Sequence, residues 1–447
     1  MAKSSDEQML DQLQQNALRY FRGEVNSVNG LVADSTKEAS FSSIAAVGLA
    51  FTVYPVAVER GYFTRDEAVR RTLAALRFFW HSEQSDGPEA TGYKGFYYHF
   101  LDMETGLRAR RSELSTIDTA ILLAGALTAA AYFQADNVHE QEIRELADKL
   151  YRRADWTWAC NGEATVVHGW KPESGFITYR WKGYNEALLL YILGLGSPTH
   201  PLPPESYQAF TAGYDEHWKE IYGREVLYAG SLFIHQLPQI WLDLRNIQDE
   251  PMRAKGFDYF ENSRRAVYIQ QEYAVHNPFR FHVYAKDCWG FTASDGPGPE
   301  ARQVNGIDRR FFGYEQRGAP FGPDDGTIAP WAAVASLPFA PEIVLPTIAR
   351  FEELDLEALR SQGYGFRATY NATYHTRAEK ESLTLDKIDG ETVWVSPWYY
   401  ALNQGPIILM IENYRTELLW RLMHHASPIV QGLRRAGFTG GWLSSNS

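Results

Sequence analysis

Six stretches of this chain are apolar almost all the way round: 41–58 (FSSIAAVGLAFTVYPVAV), 114–134 (LSTIDTAILLAGALTAAAYFQ), 184–195, 229–244 (AGSLFIHQLPQIWLDL), 329–339 (APWAAVASLPF) and 405–423 (GPIILMIENYRTELLWRLM). A helix with no polar face must be covered on every side. Between these stretches lie six amphipathic ones, at 5–22, 64–82, 138–154, 204–222, 262–276 and 341–360, which can coat a surface. Covered helices alternating with coating helices predict an all-α (α/α)6 toroid, an inner ring of six sheathed by an outer ring of six. No sequence repeat accompanies the pattern. Extended, aromatic-rich pieces at 95–106, 175–181 and 364–375 are expected as short hairpins on one rim. The stretch 277–328, rich in Gly, Pro and Asp, is expected as a long functional loop. No interdomain linker stands out, so residues 1–447 are expected to form a single domain.

The net charge of −12 lacks the basic stripe of a nucleic-acid binder. Cys160 and Cys288 are the only cysteines, and neither CxxC nor HExxH spacing occurs, so no disulfide scaffold, metal or other cofactor is expected. The opening MAKSSDEQMLDQLQQNALRYF lacks a charged-then-apolar signal pattern, and no stretch has the length of a membrane span. The expectation is a soluble protein without a membrane partner, in the periplasm or the cytoplasm. The 13 Trp and 26 Tyr favour a ligand groove, because a ring face matches the C–H face of a sugar.

In a ring of inner helices the N-termini meet at one face, where free N–H groups and helix dipoles favour acceptors and anions. Polar residues collect at those starts: Glu113, Ser115, Thr116 and Asp118; Tyr184, Asn185 and Glu186; Ser231, His235 and Gln236; Asp325 and Thr327; Asn403 and Gln404. Glu186 is therefore expected to point into a shared concave site, with Asp118 and Glu113 as companion acids. Trp181, Trp289 and Trp331 are candidate platforms, and Asp295 in TASDGPG a candidate for sugar hydroxyls. Capping explains the same acids, Asp325 fits an N-cap, and His235 fits a buried core histidine. Glycoside cleavage needs a proton donor for the leaving oxygen and a second carboxylate to activate water or attack. A non-catalytic carbohydrate-binding toroid and a lyase with Tyr or His as base fit the same residues.

The blocks SFSSIAAVGLAFTVYPVAVERGYFTRDEA (40–68), LSTIDTAILLAGAL (114–127), GYNEALLLYILGLGSPTHPL (183–202), FDYFENSRRA (257–266), CWGFTASDGPG (288–298), DDGTIAPWAAVASLPFAPE (324–342) and NQGPIILMIENYRTELLW (403–420) resemble the bacterial glucoamylase-like family. The resemblance is greatest to glycoside hydrolase family 144, inverting β-1,2-glucanases, and extends to the transglycosylase domain of cyclic β-1,2-glucan synthases. It implies an (α/α)6 toroid, a β-1,2-glucan or oligosaccharide substrate, and a catalytic role for Glu186, with Asp118 and Glu113 as further acids. It also implies hydroxyl binding by Asp295. The chain has Asn403 and Ala368 where the resemblance leads one to expect acids. Such a change is compatible with altered linkage, exo action, transfer in place of hydrolysis, or loss of activity.

Overall fold

Burial of the apolar stretches sets the helices of the computed structural model, which describes residues 4–354, 363–374, 385–388 and 391–444. The chain falls into two compact units, one of Phe21–His217, Pro238–Tyr259 and Thr416–Ser447, the other of Met1–Tyr20, Trp218–Leu237 and Phe260–Arg415.

In the first unit the helices Ile44–Glu59 and Thr116–Tyr132 are the two long apolar ones, and they pack on each other. Both lie in the interior, with Ile44 to Ala57 and Thr116 to Ala129 buried apart from Ile117. They cross at glycine: a Cβ on Gly125 would collide with the Gly48 carbonyl, and one on Gly48 with the Ile121 carbonyl. The backbones thus touch with no side chain between them. Helix Leu188–Gly196 meets Ser427–Arg435 in the same way, through Gly196 against Pro428 and Gly432 against Ile192. The amphipathic helices Arg65–His81 and Val138–Arg153 lie alongside. Each starts at a residue whose side chain accepts from the first turn, Thr64 from the Glu67 N–H and Asn137 from those of His139 and Glu140, which satisfies donors with no partner in the helix. Arg65 joins the two by a bidentate bond to Glu140 (2.7 and 2.8 Å).

Short strands precede the buried helices. Gly92–Tyr93, Phe96–Tyr98, Leu114–Ser115, Gly169–Lys171 and Gly175–Phe176 form an antiparallel sheet in that order. Ser42–Ser43 pairs with Phe100–Leu101.

The second unit holds the helices Ser5–Gly23, which runs across its boundary, Leu232–Gln236, Tyr259–His276, Pro330–Val334, Pro341–Glu353 and Ala401–Thr416. A sheet orders Thr327–Ile328, Tyr370–Asn371, Glu391–Val395 and Leu385–Ile388. The stretch 277–328 carries strands of its own, Ala293–Ser294 paired with Glu315–Gln316 and Glu300–Val304 with Ile307–Phe311.

Several expected helices are shorter or different. The 229–244 stretch gives only Leu232–Gln236 and a 3-10 turn at Pro238–Ile240, because Pro238 lacks an N–H and restricts the residue before it. The 329–339 stretch gives Pro330–Val334. The 405–423 stretch gives Ala401–Thr416 and Leu418–Met423, broken at Glu417 with φ 57°. The amphipathic 204–222 stretch gives Glu205–Thr211, Tyr214–His217 and then a hairpin, Trp218–Ile221 with Arg224–Leu227. Its turn residues Tyr222 and Gly223 both have positive φ, 50° and 70°, the geometry that matches strand twist. The expected helix 341–360 is seen to Glu353, and the far ends of that stretch and of 364–375 lie outside the described residues. Among the described residues no helix is long and apolar enough to cross a membrane.

Candidate active site

The first unit gathers acids around one histidine. His99 follows the strand Phe96–Tyr98, and its N–H donates to the Glu113 carbonyl (2.9 Å) while its own carbonyl accepts from Ile44 (3.2 Å). Fixed on both sides, the ring stacks on Phe100 (centroids 4.0 Å, 12°). Nδ1 lies 2.9 Å from Glu113 Oε1, and Nε2 lies 3.7 Å from Asp118 Oδ2. Asp118 is placed by capping. Ser115, the N-cap of Thr116–Tyr132, accepts from the Asp118 N–H (3.1 Å) and donates to its Oδ2 (2.5 Å). The cap itself is Ser115, and the Asp118 carboxylate accepts from the capping hydroxyl and faces the imidazole.

Burial pulls the His99 pKa down, but the charges of Asp118, Glu113 and Asp34 and the Glu113 hydrogen bond outweigh it and raise it to about 9. Burial raises the Glu113 carboxyl, yet its bond to His99 wins and holds it below the usual glutamate value. Asp34 is raised by burial against the pull of His99. Glu186 is pushed up to about 7, chiefly by desolvation and further by the negative charge of Asp118. Two carboxyls in one site are thus driven apart, Glu186 towards the acid and Glu113 towards the carboxylate, a separation that assigns acid and base roles in hydrolytic sites.

Glu186 sits in the turn ahead of helix Leu188–Gly196 rather than inside it. Asn185 makes that turn, donating to the Lys182 carbonyl (3.0 Å) and accepting from the Ala187 N–H (3.0 Å). Trp181 is buried, its ring stacked on His168 (3.8 Å, 19°) and its Nε1 donating to Thr116 Oγ1 (3.0 Å). Burial lowers the His168 pKa. Tyr184 is also buried, near the rings of Tyr214 and Tyr259. Tyr259 and Tyr207 both donate to Asp249 Oδ2 at 2.7 Å.

The remaining candidates are in the second unit. His235 is buried with Nε2 3.1 Å from the Ala229 carbonyl, and burial lowers its pKa to about 4, the core histidine the sequence allowed. Gln236 donates to the Ala332 carbonyl (2.6 Å) and Ser336 Oγ (2.8 Å), tying two helices together. Trp289 and Trp331 are buried, and neither indole N–H has a hydrogen-bond partner. Asp295 Oδ2 accepts from Ser396 and Tyr400, both at 3.2 Å. Asp325 is not a helix cap. It takes a bidentate bond from the buried Arg317 (2.8 and 2.7 Å) and accepts from the Phe312 N–H (2.8 Å). Asn403 and Ala368 are buried, their N–H groups donating to Tyr400 (3.0 Å) and Trp398 (3.2 Å) carbonyls.

Sequence reasoning missed His99, Asp34 and His168. The piece GFYYHF was recognisable as extended, but only the pairing of residues 99 and 113 puts the imidazole on the acids. Cys160 and Cys288 are buried free thiols pushed up by desolvation to about 11 and about 12, so neither is an activated nucleophile.

A half-buried carboxyl raised towards its protonated form thus lies near Asp118 on a mostly helical protein. Residues 178–427, more than half of the chain, match the family described as "Putative glucoamylase", and the chain belongs to that family. A structure of the same description from Bacteroides uniformis superposes with a TM-score of 0.84 at 30% identity, covering 99% of this chain and 100% of that one. The exo β-1,2-glucooligosaccharide sophorohydrolase (non-reducing end) of Parabacteroides distasonis is 27% identical over 96% of this chain, which spans 58% of that protein's length. The endo-β-1,2-glucanase of Chitinophaga pinensis, solved with sophorotriose and glucose, has the same fold, with a TM-score of 0.82 at 24% identity over 98% of this chain and 100% of that one.

Proposed function

We propose that this chain is an inverting glycoside hydrolase acting on β-1,2-glucan or β-1,2-glucooligosaccharides, built as a single (α/α)6 domain. The observation that carries the reaction class is Glu186, a carboxyl held to about 7 by desolvation next to Asp118. At neutral pH it keeps a proton to give to the glycosidic oxygen as the C1–O bond breaks. Water then adds to C1 from the opposite face, its proton passing to Asp118 or Glu113, directly or through a substrate hydroxyl. Linkage is supported by the name of the Parabacteroides distasonis relative, and the toroid by the alternation of covered and coating helices. Trp181, Tyr184, Asn185, Asp295 and Trp331 are the proposed sugar-binding set, whereas His235, Gln236 and Trp289, also expected from the sequence, lie in the interior. Asp295, with its neighbouring hydroxyls, and the unpartnered indole N–H group of Trp331 suit this role best.

The test is incubation with β-1,2-, β-1,3-, β-1,4- and α-1,4-glucans, products being resolved by chromatography and the first anomer by proton NMR. Short β-1,2-glucooligosaccharides released as the α-anomer are expected. Release from starch alone refutes the linkage. An initial β-anomer, or transfer products at high substrate, places the chain among transglycosylases. Glu186→Gln should lower turnover by at least about a hundredfold.

A further inference from the structure

We infer that His99 is a positioning residue, a clamp whose two ring nitrogens hold the Glu113 and Asp118 carboxylates in place to take a proton from the attacking water. This rests on the hydrolase reading for its catalytic consequence but not for the clamp itself.

The geometry leaves the ring little freedom. Its backbone is bonded to strand neighbours on both sides, its face lies on Phe100, Nδ1 is on Glu113 Oε1 at 2.9 Å, and Nε2 faces Asp118 Oδ2 at 3.7 Å. A neutral imidazole carries one N–H and can donate to only one of these acceptors, whereas the imidazolium donates towards both. Three carboxyls, Asp34, Glu113 and Asp118, act on the ring. The other charged or titratable groups in reach act on those acids: Lys171 and His168 near Glu113, Lys37 and Arg110 near Asp34, and Glu186 near Asp118. Like charges gathered this closely would otherwise keep one carboxyl protonated and useless as a base. With the imidazolium among them, Glu113 is favoured as the carboxylate while Glu186 is pushed towards keeping its proton. One site thereby holds acid and base in opposite states.

The clamp has a readout that needs no substrate. Histidine-labelled protein followed by heteronuclear NMR should show one imidazole, lost in His99→Gln, that titrates well above the ordinary value of about 6.5. Glu113→Gln should lower that value by about 1 unit or more, the scale expected for losing an adjacent opposite charge. An ordinary titration in the wild-type chain, or no change in Glu113→Gln, overturns the clamp whatever the substrate proves to be. For catalysis, His99→Gln retains a donor for Glu113 but not the charge. The acidic limb of its kcat profile on β-1,2-glucooligosaccharides should move up by about 1–3 pH units with KM little changed, and His99→Arg should restore part of the shift. A uniform loss across pH would mark a merely structural histidine. Wild-type inactivity on β-1,2-glucans would refute the substrate reading while the NMR result still decides the clamp.

Discussion

Replacing Glu186 by Gln should make the protein more stable, and only above about pH 4.5. An ordinary glutamate ionises at 4.5, whereas desolvation and Asp118 hold Glu186 at about 7. At ~1.4 kcal/mol per pH unit, ionising it in the folded chain costs ~3 kcal/mol more than in the unfolded chain. The folded state therefore binds this proton more tightly. Below 4.5 both states are protonated and nothing is lost; between 4.5 and about 7 the penalty grows, and above 7 it is complete. Gln has nearly the same shape and cannot ionise, so Glu186→Gln escapes the penalty. Taking ~2.1 cal/mol/K per residue for 447 residues, ~3 kcal/mol corresponds to ~3 °C in Tm if the chain melts as one unit. The assay is circular dichroism melting of both proteins from pH 4.5 to 8.5. Contributions of His99 and the other titrating groups largely cancel in the difference. A gap that opens from near zero at pH 4.5 to a few degrees at pH 8 is expected. A gap independent of pH refutes the assignment and returns Glu186 to an ordinary ionised turn residue.

Other perturbations reach the same site and its frame. The wild-type kcat should fall about tenfold per pH unit above about 7, as Glu186 loses the proton it donates; a flat profile to pH 9 would exclude it as the acid. Ser115→Ala removes the helix cap and the donor to Asp118, so urea unfolding should show a loss of ~1 kcal/mol together with reduced turnover. Arg317→Ala strands the buried Asp325 charge and should cost ~3–5 kcal/mol in the same assay, whereas Arg317→Met with Asp325→Leu should cost less than the single change. Gly125→Ala forces a methyl against the Gly48 carbonyl and should destabilise by ~1–3 kcal/mol or more; an unchanged midpoint would mean the helices separate freely.

The helices that bury every face were legible because nothing but an interior can hold Ile44–Glu59 or Thr116–Tyr132. Amphipathic pattern misled at 218–222, where a positive-φ turn leads into a hairpin from residues whose spacing also suits a helix. The grouping of Glu113, Asp118 and Glu186 was readable from helix starts. His99 was not, since nothing local ties position 99 to position 113; strand register does. Asp325 shows the same limit in the other direction. Its sequence suits a cap, but Arg317, eight residues upstream, folds back to claim both oxygens.

The crossing at Gly48 and Gly125 also bears on how the site withstands heat. Packing between side chains can loosen by one rotamer hop at a time, but a contact between main chains has no such soft coordinate. Helix Thr116–Tyr132, whose first turn carries Asp118, is pressed at its middle against Ile44–Glu59, whose first residue donates its N–H to the His99 carbonyl. Warming should therefore fray the amphipathic helices Arg65–His81 and Val138–Arg153 first, and the amides beside the two glycines should be among the slowest in the first unit to exchange with deuterated solvent. Asp118 is carried by a helix held through such a stiff contact, so its aim should persist until that unit melts.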